Sequence, residues 1–182
     1  MVDPIYLDYA ATTPVDPRVL NAMLPYFNET FGNPSSIHRY GQQAEAAVES
    51  AREAVAVVLD CHPKEIVFTS CGSESDNLAL RGAALAMREK TGANWILTSR
   101  AEHHAVSKTA EQLKKHYGFQ VEWLETNETG TVTPETVENA ICKDTAIVSV
   151  MYANNEIGTV NPVAEIGTLC RAHHVPFHTD AV

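Results

Sequence analysis

The sequence predicts an α/β fold, a mostly parallel sheet sandwiched by helices. Three observations predict it. Short apolar runs at 65–70, 95–99, 119–125, 145–152 and 175–180 alternate with longer stretches of helical periodicity. Those runs are near-continuously apolar, as in strands covered on both faces. Most of them are followed at once by polar, chemically versatile residues, where open α/β sheets bind ligands. With 182 residues and 45% hydrophobic content, the chain is large enough for one domain with a real core.

The elements follow in order. The opening 15 residues read as an extended arm, and 16–182 as the body of the domain. Residues 16–28 predict a helix, with Asp16 as N-cap, Pro17 at its first position, and Val19, Leu20, Met23, Leu24 and Phe27 on one face. FGNPSS is a loop. Residues 37–60 predict a helix whose stripe is Ala44, Ala47, Val48, Ala51, Val55 and Val58. A strand is expected at 65–70, then a helix closed by Gly92. The strand at 95–99 leads to a helix ending at Gly118. Next come a strand at 119–125, a helix at 133–142 capped by Thr133, and a buried strand at 145–152. A helix at 161–174 with Asn161 as cap precedes the last strand, VPFHTD.

Composition narrows the function. The net charge is −10 and the isoelectric point about 5.2. Nucleic acid and anionic membrane both demand a cationic surface, so neither is an expected partner. No apolar run approaches the roughly 18 residues of a membrane span, and MVDPIYLDYAATTP lacks the basic-then-apolar pattern of a secretory signal. Cys61, Cys71, Cys142 and Cys170 are scattered without a CxxC pair. They fit reduced thiols, read as small buried hydrophobes, in a cytoplasmic protein.

The chemistry gathers at the strand ends. After EIVFT comes SCGSESDN, where Gly72 permits a tight turn and Ser73 opens a helix whose first N–H groups lack internal partners. Such a turn cradles an anion such as phosphate. An ordinary capping box, Ser73 with Asp76, explains the same residues. After WILTS come His103 and His104. A flat imidazole there can stack on a planar ring and donate a proton, or simply bond backbone at a helix start. No second His stands at the helical spacing a zinc site needs, so no metal is expected. After VSVMY come Asn154, Asn155 and Glu156, suited to short contacts with phenolic or carboxylate oxygens, and equally to turn chemistry. Asp180 follows a buried strand, where a carboxylate is costly unless a cation meets it. A protonated pyridine nitrogen, an internal salt bridge or a helix cap would each serve.

The segments IYLDYAATTPVDPRV, FGNPSSIHRYG, EIVFTSCGSESDNLAL, EHHAV, IVSVMYANNEIGTV and FHTDAV resemble, in order, the blocks of NifS/IscS-type cysteine desulfurases. These are fold-type-I enzymes of the class V aminotransferase superfamily, dependent on pyridoxal 5'-phosphate (PLP). The resemblance runs over essentially the whole chain, and implies the N-terminal half of such an enzyme. The fold implied is the PLP-dependent transferase fold type I large domain, incomplete at the C-terminus, with the arm at 1–15 on the small-domain side. The resemblance assigns roles by position. Gly72 and Ser73 match the phosphate-contacting turn, and His103 the histidine stacked on the cofactor ring, which is also the catalytic candidate. Asn155 matches the asparagine near the phenolic oxygen and the substrate carboxylate, and Asp180 the acid paired with the ring nitrogen. Asn33 matches a loop near the substrate mouth. The implied reaction takes L-cysteine to L-alanine, with sulfur passed to an enzyme cysteine as a persulfide. That sulfur goes on to an acceptor or iron–sulfur scaffold protein, and the full-length enzyme is a homodimer.

The resemblance also has gaps. The family's cofactor-binding lysine follows a serine-glycine-histidine stretch downstream of the acid. None of Lys64, Lys90, Lys108, Lys114, Lys115 or Lys143 follows such a stretch, and none of the four cysteines lies in the family's nucleophile region. The expectation is therefore a fragment that does not desulfurate cysteine alone. Alternatives are one chain of a split enzyme, or a noncatalytic binding or scaffold relative.

Overall fold

A computed structural model describes residues 4–182, so part of the expected arm, 1–3, lies outside the described residues. The chain divides into two compact units, Met1–Phe68 and Thr69–Val182.

In the first unit, Asp16 caps helix α1 (Pro17–Met23) by accepting the Arg18 amide at 2.7 Å. The single helix expected over 16–28 is two. Pro25 lacks an N–H to continue the ladder, so the chain restarts there as α2 (Pro25–Asn28). The expected apolar face is real in periodicity but uncovered: Val19, Leu20, Met23, Leu24 and Phe27 are all exposed. Helix α3 (Arg39–Val58) is capped by His38, and of its expected stripe only Ala44 is buried, while Val58 is exposed. The strand expected at 65–70 is absent. Pro63–Glu65 forms a 3-10 turn closed by a His62–Glu65 capping box, and residues 66–69 pair with no strand among those described. Ile66 has extended dihedrals, but a strand exists only through a ladder partner.

The second unit holds a four-stranded sheet in the order β2-β1-β3-β4, every pair parallel. Strand β1 is Trp95–Ser99, β2 Gln120–Leu124, β3 Thr145–Ser149 and β4 Phe177–His178. The central strands β1 and β3 are buried on both faces, because adjacent residues point to opposite sides of the sheet and each side is covered. Ile96 and Ile147 enter one core cluster with Leu80, Val106, Leu113 and Phe119, from α4 (Gly72–Thr91), α5 (His104–Tyr117) and the turn after α5. Leu97 and Val148 enter the other with Val137, Ile166 and Cys170, from α6 (Pro134–Ala140) and α7 (Val163–Ala172). Gly92 and Gly118 end α4 and α5 in the left-handed conformation, and Thr133 caps α6.

Asn161 does not cap α7, as the sequence suggested. The helix starts at Val163 without a side-chain cap. Buried Asn161 instead accepts the Val132 amide and donates to the Met151 carbonyl, each at 2.9 Å. Of the four free thiols only Cys170 is buried, and burial pushes it up to about 11; Cys71 and Cys142 are exposed, contrary to the reading of all four as buried. No helix among the described residues is long and apolar enough to cross a membrane.

Candidate active site

Beyond the last paired residues the backbone still runs in register. Val150 donates to His178 and Tyr152 donates to Asp180, the latter at 2.8 Å. This continuation carries Asp180 to the carboxyl end of the sheet, two residues past His178 and therefore on the same strand face.

Asp180 is buried, and its Oδ1 accepts the Val182 amide at 3.1 Å. No lysine or arginine lies within ion-pair distance of it among the described residues. Helix α4 begins against the same segment: a Cβ on Gly72 would sit 2.7 Å from Val182 Cγ2, so a side chain at Gly72 would force Val182 aside.

The turn into α4 differs from a capping box. The cap residue is Cys71, whose side chain makes no capping bond, and Ser73 lies inside the first turn with its side chain exposed. Glu74 folds back to accept the Ser70 amide and hydroxyl, both at 2.6 Å, which holds its carboxyl below the usual range. The first amide to donate into the helix is that of Ser75, to Cys71. Among the described residues, the amides of Gly72, Ser73 and Glu74 have no acceptor, leaving the positive end of a 20-residue helix open.

His103 is the N-cap of α5. Its Nδ1 accepts the Ala105 amide at 3.1 Å, so the neutral ring carries its proton on Nε2. The ring is exposed. Polar atoms of Asp76, His103 and Asp180 all lie within 4.8 Å of one another. A cation would find two carboxylates here, but with Nδ1 occupied and Nε2 protonated the imidazole has no free lone pair to offer.

Asn154 and Asn155 separate in role. The Asn154 oxygen accepts the amides of Glu156 and Ile157, and its nitrogen donates to Ala101 at 2.8 Å. This ties the loop after β3 to the loop that carries His103. Asn155 is exposed and has no polar contact among the described residues. Asn33 belongs to the first unit, where its side chain accepts the Ser35 amide at 2.9 Å in a turn.

Four polar residues around this rim were not singled out for it by sequence reasoning. Asp76, read as a capping partner, is buried one turn into α4. Its carboxyl is pushed up to about 6, by desolvation first and then by the nearby Asp180 charge. Glu102 is buried too, with Oε1 accepting the Met151 amide at 2.8 Å and Oε2 unpartnered. Burial pushes it up to about 7, against the opposing pull of the Met151 amide. Ser149 and His178 lie 2.8 Å apart, Oγ to Nδ1. A signal for His178 and Asp180 was present in FHTD, whose alternate residues share a face. Burial of Asp76 and Glu102 had no such signal.

The sequence profile of the family described as Aminotransferase class-V matches residues 5–182. The chain belongs to the class-V aminotransferase family. Within it, the chain is 50% identical to a cysteine desulfurase IscS of Clostridium botulinum (strain Kyoto / Type A2), over 98% of this chain and 44% of that protein. It is 48% identical to a putative cysteine desulfurase, IscS 1, of Bacillus subtilis (strain 168), over 100% of this chain and 47% of that protein. A solved NifS-like protein superposes with a TM-score of 0.90 at 39% identity, covering 98% of this chain and 49% of that one. The structure titled SspA in complex with cysteine superposes with a TM-score of 0.88 at 40% identity, covering 97% and 50%. The chain thus spans about half the length of the class-V relatives it matches, and the fold is that of the NifS-like desulfurases.

Proposed function

We propose that this class-V chain is the N-terminal portion of a PLP-dependent cysteine desulfurase, and that its strand-end cluster is the chain's share of the cofactor pocket. The observation that carries this reading is Asp180: a buried carboxylate at the carboxyl edge of the sheet, beside an open helix start and an imidazole, with no lysine or arginine among the described residues within ion-pair distance. A phosphorylated pyridine ring fits that set of groups. The open amides of α4 with the Ser73 hydroxyl suit the phosphate, the exposed His103 ring offers a face for stacking and an Nε2 proton, and Asp180 suits a protonated ring nitrogen. Asn155 and Asn33 are proposed for the substrate carboxylate and the substrate mouth.

When bound, PLP supplies an electron sink that labilises bonds at the substrate Cα. Asp180 holds a proton at the ring nitrogen by a charge-assisted contact shielded from water. His103 positions the ring and presents its Nε2–H to the substrate side. The proposed substrate is L-cysteine, in keeping with the cysteine complex reported for one structural relative. The proposed product is L-alanine, with sulfur handed through a protein persulfide to an iron–sulfur scaffold or other acceptor, in a homodimeric, cytoplasmic enzyme. The lysine and nucleophilic cysteine are proposed to come from a segment beyond these 182 residues, and the chain alone is proposed to be inactive.

The test is reconstitution. The chain is mixed with a polypeptide matching the remaining part of its relatives, and alanine and sulfide are measured from L-cysteine. Activity in the mixture and none in either part supports the reading; a folded complex that binds PLP and leaves L-cysteine untouched overturns the substrate.

A further inference from the structure

A row of buried and half-buried polar groups lies beside Asp180, and the proposed cofactor contacts do not use it. Ser149, the last residue of β3, is fully buried, with Oγ 2.8 Å from His178 Nδ1. His178 Nε2 lies 3.5 Å from Asp76 Oδ1. Asp76 belongs to the cluster in which its carboxyl and that of Asp180 approach within 4.8 Å. The row therefore runs from β3 through β4 to α4, and ends against the acid that is proposed to meet the ring nitrogen.

The contact between His178 and Asp76 has the form of an ion pair, but its surroundings favour neutral partners. Desolvation lowers the basicity of His178, and desolvation with the Asp180 charge raises Asp76 to about 6. Two neutral-imidazole arrangements are consistent with the Ser149–His178 hydrogen bond, and either requires the 3.5 Å separation between His178 and Asp76 to shorten into a hydrogen bond. With Asp76 protonated, its hydroxyl donates to Nε2 and the Nδ1 proton donates to Ser149. With Asp76 ionised, Nε2–H donates to the carboxylate and the Ser149 hydroxyl donates to Nδ1. Passing from the first to the second moves the acid proton onto Nε2 and releases the Nδ1 proton to solvent, one proton in all. The titratable groups facing Asp76 are Asp180 after β4, His178 on β4, His103 at the start of α5 and Glu102 before it. On α4 itself Glu74 is turned away to Ser70.

We propose that Asp76, His178 and Ser149 form a row that takes up one proton on Asp76 in mildly acidic solution, leaving the negative charge of the Asp76–Asp180 pair on Asp180. Asp76 is then a positioning residue for the ring-nitrogen contact. That role rests on the cofactor reading above, whereas the row itself is a property of the chain without cofactor.

The experiment is a titration of the 182-residue chain, free of cofactor and labelled with 15N-histidine and 13C-aspartate, followed by NMR from about pH 5 to about pH 8. The expected result is that His178 exchanges its proton from Nδ1 to Nε2 at the same midpoint at which the Asp76 carboxyl titrates. Asp180→Asn shifts that midpoint downward by removing the like charge, and Asp76→Asn fixes His178 in one tautomer at every pH. A wild-type His178 that keeps a single tautomer throughout, or that titrates as an imidazolium independently of Asp76, overturns the row. So does a midpoint that Asp180→Asn leaves in place. The wild-type titration decides the matter even where a variant fails to fold. A role in packing alone predicts none of these coupled midpoints. Failure of the chain to bind PLP when reconstituted, with the row intact, overturns only the cofactor reading.

Discussion

Glu102 stands one residue before the exposed His103 yet is itself buried, with one carboxyl oxygen unpartnered. Its ordinary value of 4.5 is raised to about 7 in the folded chain. An acid shifted upward stabilises the fold in its protonated form. That contribution is complete below pH 4.5 and is lost as pH rises through about 7. The linkage amounts to about 3 kcal/mol at full ionisation. Glu102→Gln keeps the acceptor for the Met151 amide and removes the charge. Its melting temperature at pH 8 is expected to exceed that of the wild type, with the gap closing at pH 5; an equal gap at both values would argue against burial as the cause. At this scale the strand-end segments SCGS, EHH, ANN and TD stand out in the sequence because each lies at or just beyond the end of an apolar run, whereas the choice of Gly72, Ser73, His103, Asn155 and Asp180 within them comes from the family resemblance. Asp76 and Glu102 stayed hidden because an acid near a helix start looks like a cap, and burial depends on what packs over it.

Among the elements, the loops after β2 and β3 are held by one side chain. Asn161 satisfies the buried Val132 amide and the Met151 carbonyl together. Asn161→Ala leaves both without partners, and a loss of about 2–4 kcal/mol is expected. Urea denaturation of the second unit's transition reads it as a lower midpoint with unchanged slope, whereas a change below about 0.5 kcal/mol would mean water replaces both bonds. Gly118→Ala is expected to cost about 1 kcal/mol, since α5 closes with this residue at φ 73°. The sequence located β1, β2 and β3 because their apolar runs carry their own evidence. It placed a strand at 65–70 for the same reason, and the ladder is missing because pairing needs a neighbour that no local pattern specifies. The Asn161 staple was likewise illegible, since its partners lie 29 and 10 residues away.

Across the whole molecule, burial is uneven. The second unit holds both core clusters. In the first, the helices bury only Gly41, Ala44 and Ala56, while Ile5, Leu7, Ile37, Val57 and Val58 are each at least 80% exposed. Hydrogen exchange of the isolated chain is expected to be slowest at β1 and β3 and fastest through α1 and α2; equal protection in the two units would show that the first has a core of its own. Mixed with PLP alone, the chain is expected to retain no yellow adduct through gel filtration, because the lysine that would form the imine is proposed to lie outside these 182 residues. The central claim is that Asp180 meets a ring nitrogen. It is tested most directly by the 15N signal of nitrogen-labelled PLP bound to the reconstituted protein at pH 8. A protonated nitrogen with the wild-type chain and an unprotonated one with Asp180→Asn is the predicted result, and the same protonation state with both chains would contradict it.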